Sequence, residues 1–459
     1  MSRALFIGGT ASHVGKSWFT TAFCRLLYRR GVRVSPFKAQ NMSNNSFPCI
    51  EGGEIGRAQV VQAEACNLPP MADMNPVLLK PNSLIGSQVV VQGKVWRTVP
   101  AAEYYRHTAM LFDKAFESFA RLSRQFDAVV CEGAGSVAEV NLFDRDITNL
   151  RFAARVGAKA LLVADIERGG VFASLVGSME LLPPEQRATV RAFAVNRFRG
   201  DPALFEEGVR FLEQRLGLPC LGVFPYADDI AIDDEDSVSL PSAGAATGGR
   251  VAAIRFPRIS NFTDLRLLRP SWIDRPVDHP FDIVILPGTK NTIADLNWLR
   301  AQGLEPWIRR QHDAGAMLVG ICGGYQMLGE RIEDPHGVES TLQEARGLGL
   351  LPAHTVLAET KVTQVVRLQN GHPAYEIHMG RTECPAPPLF TLDNRCPEGA
   401  RHGRVMGTYL HGAFESAAVV RDVLGIEVPE PTPKPRMYDR LADWLTMHSN
   451  PNVLEALLP

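Results

Sequence analysis

The sequence predicts an α/β protein of two domains, and three observations carry that expectation. Apolar strand-like runs alternate with helical stripes through the first half. The alternation stops in an acidic and then glycine-rich stretch, and it restarts at Val251. The chain of 459 residues is also too long for one ordinary core, so two domains of roughly 200–250 residues are expected.

Ala4–Gly8 is the first strand, a short apolar run. Ser17–Arg30 follows with apolar residues at 18, 19, 22, 23, 26 and 27, one face of a helix. Gly31 ends it, since glycine tolerates the left-handed conformation that closes many helices. Val32–Ser35 is the next strand, and Asp127–Cys131, Ala158–Ala164, Ala192–Asn196 and Gly222–Pro225 continue the series. Repeated strand–helix–strand units imply a parallel sheet covered on both faces. The stretch containing IDDEDS and PSAGAATGG has no periodicity and reads as a linker. The boundaries predicted are 1–228, a linker at 229–250, and 251–459. The second domain has strands Val251–Ile254, Asp282–Leu286 and Met317–Ile321. The stiff PEPTPKP segment and an amphipathic helix, Met437–His448, are read as its end.

Composition narrows the class. With 45% hydrophobic and 21% charged residues, the chain looks like a soluble globular protein. A net charge of −2 gives no global field for nucleic acid or an anionic membrane. No run of about 18 apolar residues occurs, so no membrane span is expected, and the apolar run after Met1-Ser2-Arg3 is too short for a secretory leader. Eight scattered cysteines without a CxxC pair suggest free thiols in a reducing cytoplasm. The sequence leaves the oligomeric state open, a homo-oligomer included.

The first strand runs into Gly8-Gly9-Thr10-Ala11-Ser12-His13-Val14-Gly15-Lys16-Ser17 and then a helix. Glycines let backbone N–H groups approach phosphate oxygens, and the helix start adds its positive end. Gly9, Thr10, Ser12, Gly15, Lys16 and Ser17 are thus the ATP-binding candidates. Lys16 would reach the terminal phosphates and Ser17 would ligate Mg²⁺. The loop has one residue more than the usual phosphate-loop spacing, as in dethiobiotin-synthetase-like enzymes. A ligand-free glycine turn is the bland alternative, and the order of strand, loop, GKS and helix argues against it. His13 is read as loop filler. Glu132, closing a strand, and Glu54 are candidates for the metal carboxylate, because strand C-terminal ends face the ligand in α/β folds. Asp165, also at a strand end, is a third.

In the second domain, Met317–Ile321 runs into Cys322-Gly323-Gly324 and a helical stretch. A nucleophile on such a turn is exposed, and the helix start lowers a thiol's pKa. Gly323 and Gly288, the latter in Pro287-Gly288-Thr289, are the oxyanion candidates. His411, in GTYLHG, is the candidate base. A lone histidine or a lone cysteine is more often structural; together, on an elbow and between glycines, they read as a class I glutamine amidotransferase site. Ala413 stands where a triad glutamate is usual. Glu415 and Glu376 are weak substitutes, so a Cys–His dyad is the expectation.

These motifs resemble the glutamine-hydrolysing adenosylcobyric acid synthases over nearly the whole chain. The resemblance rests on GTASHVGKS (9–17), PFKAQNMSNNS (36–46), GEIGRAQVVQAEA (53–65), DMNPVLLKP (73–81), EGAGSVAEVNLFDRDITN (132–149), ADIERGGVFASLVG (164–177), LPGTKNT (286–292), GICGGYQMLG (320–329), YEIHMGRT (375–382) and GTYLHG (407–412). It implies that ATP activates the b, d, e and g carboxylates of adenosylcobyrinic acid a,c-diamide and that glutamine supplies the ammonia. Lys38 would be a further clamp on phosphate or carboxylate. Asn41, Asn44, Asn45, Lys80 and Arg145 lie in matched motifs and would contact the corrinoid, though each suits a scaffold role equally. The nearest rival is the a,c-diamide synthase, against which PFKAQNMSNNS and DMNPVLLKP argue. A regulatory ATPase of the deviant phosphate-loop type is a rival of another class. Residues 9–14 lack the early lysine common there.

Overall fold

Alternate residues of the first strand, Arg3–Gly9, enter two different cores. Leu5 and Ile7 pack on one face, and Ala4 and Phe6 on the other. A strand apolar on both sides belongs at the centre of a covered parallel sheet. The computed structural model, which describes residues 3–82, 86–227, 230, 232–233, 249–340 and 342–459, places it there. Six parallel strands run in the order Cys220–Pro225, Val190–Phe198, Lys159–Asp165, Arg3–Gly9, Ala128–Glu132 and Val34–Phe37. The strands expected from the sequence shift by one or two residues at their ends, where apolar pattern and hydrogen bonding part company.

The helix Lys16–Arg29 covers one face of this sheet. Helices Thr108–Gln125, Leu150–Val156, Val171–Leu181 and Glu206–Leu216 cover the other. Beyond the strand ends stands a smaller sheet that the periodicity did not reveal. It is built from Gln40–Met42, Val77–Pro81, Gly86–Val91 and Lys94–Pro100.

The second half carries a sheet ordered Ser271–Ile273, Val251–Ile254, Ile283–Leu286, Met317–Ile321, Val405–Thr408 and Ala400–His402. It is parallel except for the last strand. A long hairpin, His354–Arg367 with Pro373–Glu383, belongs to a separate four-stranded sheet with Arg331–Glu333 and Glu344–Arg346. Most of the linker read at 229–250 lies outside the described residues.

One assignment is corrected. The C-terminal helix spans Lys434–His448, is followed by Pro451–Leu457, and both pack on the first domain, not the second. Trp444 meets Phe19 and Phe224 with ring centroids 5.4 and 4.9 Å away. Arg25 holds Asp439 at 2.8 Å. An amphipathic stripe shows that a helix buries one face; it does not say against what. Among the described residues no helix is long and apolar enough to cross a membrane.

Candidate functional site

The strand Met317–Ile321 ends at Cys322, whose backbone is held at φ 53 and ψ −109 before the helix Gly323–Leu328 begins. Such a conformation costs a non-glycine residue about 1–3 kcal/mol and persists only where surrounding packing enforces it. It turns the thiol out of the strand at the sheet's edge. The neighbouring strand Ile283–Leu286, with Leu286 opposite Gly320, brings the turn at Gly288 alongside. A Cβ on Gly288 would lie 3.1 Å from His411 Cε1, and one on Gly323 would lie 2.6 Å from Thr289 Cγ2. Both oxyanion candidates therefore sit beside the Cys–His pair, with no room for a side chain.

On the other side, Val405–Thr408 pairs with the cysteine's strand, and Cys322 N donates to Thr408 O at 2.8 Å. His411 follows three residues later and is fully buried. Its Nδ1 lies 2.8 Å from Oδ2 of Asp264, itself buried, while Asp264 Oδ1 accepts the Gly412 N–H at 2.5 Å. Nε2 is buried without a hydrogen bond, and the Cys322 thiol donates to Ile377 O at 3.7 Å. Burial pushes this imidazole down, but the Asp264 carboxylate, and then Cys322, lift it to about 10. Tyr375 stacks on the ring at 5.3 Å.

The expected dyad is thus joined by a carboxylate that the sequence reading missed. Glu415 faces Arg57 at 3.5 Å and Lys434 at 3.7 Å, and Glu376 is bonded to Gln364. Neither touches His411. Asp264 lies 147 positions before the histidine, on the far side of the cysteine in the chain. Its one local signal is an acid between Phe262 and Leu265, both buried.

In the first half, the loop after Arg3–Gly9 closes on Lys16. The Lys16 ammonium donates to the carbonyls of Ala11 and Gly135, both at 2.9 Å. Gly15, at φ 108, opens the helix, and a Cβ there would collide with Asn196. Ser17 donates to Glu132 Oε1 at 2.9 Å, Lys38 pairs with the same oxygen at 2.9 Å, and Gln62 donates to Oε2 at 2.5 Å. A cavity of about 600 Å³ opens from this point. Ser12, His13, Gly15, Lys16, Ser17 and Lys38 line it, and so do Asn41 and Arg145. Gly9 and Thr10 lie behind the loop, where Thr10 N donates to Val163 O at 3.0 Å and Gly9 O accepts from Val137 N at 2.9 Å.

Other candidates fall elsewhere. Glu54 does not line the cavity and lies in a buried cluster. Its carboxylate accepts from Lys80 at 2.7 Å and Ser46 at 2.8 Å, and it is bonded to Lys361 of the long hairpin. Burial would push Glu54 up, but Lys361 and Lys80 hold it well below the usual carboxylate range. Burial pushes Lys80 down to about 7. Lys80, Asn44 and Asn45 do not line the cavity. Lys80 is committed to Glu54, and Asn45 is bonded across the domains to Asn261. Asp165 is paired with Arg197 at 2.9 Å.

The donor set at the loop suits a nucleotide and its metal. Gly15 and Lys16 line the cavity at the start of the helix, and Ser17 and Glu132 offer hard oxygens of the kind Mg²⁺ takes, usually one or two from protein.

Residues 5–240 match the family described as the CobQ/CobB/MinD/ParA nucleotide binding domain, and residues 250–419 match the CobB/CobQ-like glutamine amidotransferase domain. A cobyric acid synthase of Pelodictyon phaeoclathratiforme is 45% identical, covering 100% of this chain and 98% of its own. One of Dehalococcoides mccartyi is 44% identical, covering 96% of each chain. One of Chlorobium phaeobacteroides is 46% identical, covering 96% of this chain and 94% of its own.

Proposed function

The chain belongs to the cobyric acid synthase family, and from that premise we propose that it amidates the b, d, e and g carboxylates of adenosylcobyrinic acid a,c-diamide with ammonia drawn from glutamine. It is an enzyme of the glutamine amidotransferase and ligase kind, with a nucleotide-binding half. The observation that carries the reading is the presence, in one chain, of a strained Cys322 beside His411 and of a phosphate loop facing Glu132.

In the glutaminase half, Cys322 Sγ attacks the side-chain amide carbon of glutamine. His411, held by Asp264 at Nδ1, keeps the sulfur's proton and delivers it to the leaving nitrogen. The N–H groups of Gly323 and Gly288 stabilise the oxyanion. Ammonia departs, and water cleaves the thioester to glutamate.

A free carboxylate resists amidation because oxide is a poor leaving group. ATP, when bound, supplies the phosphoryl group that makes it an acyl phosphate, and Mg²⁺ screens the phosphate charge. Lys16 and the loop amides would hold the phosphates, and Ser17 and Glu132 would hold the metal, with Lys38 fixing Glu132 in place. Asn41 and Arg145, on the cavity wall, face the corrinoid.

The test is incubation of the purified chain with ATP, Mg²⁺, glutamine and adenosylcobyrinic acid a,c-diamide. Mass spectrometry should follow the corrinoid to its hexa-amide. Amidation of cobyrinic acid but not of the a,c-diamide would make it the a,c-diamide synthase. ATP hydrolysis with no corrinoid product would favour a regulatory ATPase.

A further inference from the structure

The segment that forms the cavity wall also enters the glutaminase half. Gln40, Asn41 and Met42 line the cavity. A few residues on, Asn45 Oδ1 accepts the backbone N–H of Asn261 at 2.7 Å, and Asn261 Oδ1 accepts the N–H of Ser46 at 2.9 Å. All three residues are buried, so these bonds form without competition from water and are costly to leave unmade. Asn261 stands at φ 51, in the left-handed region that asparagine tolerates better than most residues. It is the residue immediately before the turn Phe262–Leu265, which carries Asp264. A second contact reaches the other partner of the pair. The ring of Phe47 lies 4.5 Å from that of Tyr375, and Tyr375 stacks on His411.

We propose that Asn45 is a positioning residue of the glutaminase site, supplied by the ATP-binding half. It clasps the left-handed turn at Asn261 and so fixes where Asp264 meets Nδ1 of His411. Without the Asn45 oxygen, the buried Asn261 N–H has lost its acceptor, and of the two bonds across this contact only Ser46 N–H to Asn261 Oδ1 remains to hold the turn. Asp264 then drifts from the imidazole, and Nε2 is no longer aimed at the thiol. The consequence is a glutaminase that is incomplete without the other half of the chain, in a site whose nucleophile and base lie in the second domain. The inference rests on the reading that Cys322 and His411 hydrolyse glutamine.

The experiment compares wild type, Asn45→Ala, Asp264→Asn and the double variant in the full-length chain. Glutamate release is measured against glutamine concentration. Asn45→Ala should lower the glutaminase kcat about tenfold and leave KM within about twofold, the signature of lost alignment rather than lost binding. Placed on Asp264→Asn, the same substitution should cost less than about twofold more, since both act through one contact. Corrinoid amidation driven by ammonium chloride in place of glutamine should be retained by Asn45→Ala. A wild-type kcat in Asn45→Ala, or losses that multiply in the double variant, would overturn the proposal. Equal loss of ammonium-driven amidation would also overturn it, by placing Asn45 at the acceptor or in general folding. Absence of glutamine hydrolysis in wild type would instead reject the functional reading on which the proposal stands.

Discussion

Asp264 Oδ2 lies 2.8 Å from Nδ1 of His411, with both side chains buried. A carboxylate in that position sets the imidazole's tautomer and orientation and stabilises its charged form. Asp264→Asn keeps the shape and removes the charge. The glutaminase kcat is expected to fall by about 10²–10⁴-fold with KM for glutamine little changed. Glutamate release under saturating glutamine checks this. Unchanged kcat would return the site to a plain Cys–His dyad.

The same pair sets a pH dependence of stability. His411 is raised from 6.5 to about 10. A raised pKa favours the fold while the ring is protonated, so the contribution is full below pH 6.5 and is lost as pH rises through about 10. The gap in urea midpoint between wild type and Asp264→Asn should therefore be widest at pH 6 and close in alkali. A gap that widens with pH would contradict the assignment.

Cys322→Ser removes the thiolate nucleophile and leaves the other half untouched. Glutamine-dependent amidation should fall at least about a thousandfold, while amidation driven by ammonium chloride persists. Loss of both would mean that Cys322 serves the whole fold.

How much of this was legible beforehand follows from range in the chain. The phosphate loop and the cysteine elbow are local: strand, turn and helix are contiguous, and each residue's chemistry follows from its place on the turn. His411 was found because glycines frame it. Asp264 was not, since nothing near it in sequence marks it as the partner of a residue 147 positions away. Glu54 and Lys80 sit in motifs that look like binding motifs. They pair with each other within the first half, and Lys361 reaches Glu54 only through the packing of the two halves. The small sheet beyond the strand ends escaped because its first strand, Gln40–Met42, has three residues and its last, Lys94–Pro100, is mostly exposed and carries no apolar run.

The C-terminal helices make a prediction about stability. Trp444 is buried against Phe19 and Phe224 of the ATP-binding half. Trp444→Ala should cost that half about 3–5 kcal/mol, read as an earlier urea transition and an earlier loss of ammonium-driven amidation. Glutamate release at low urea should change far less. A selective loss of glutaminase would place the helix back with the second domain.

In the proposed function, one chain makes ammonia at Cys322 and spends it on corrinoid carboxylates activated at the Lys16 loop. Glutamine labelled with nitrogen-15 in its side-chain amide tests it most directly, with ATP, Mg²⁺ and adenosylcobyrinic acid a,c-diamide present. Label is expected in the b, d, e and g amides of the product, and none when Cys322→Ser is used with the same glutamine. An unlabelled corrinoid from the wild-type enzyme, or label that persists in Cys322→Ser, would contradict it.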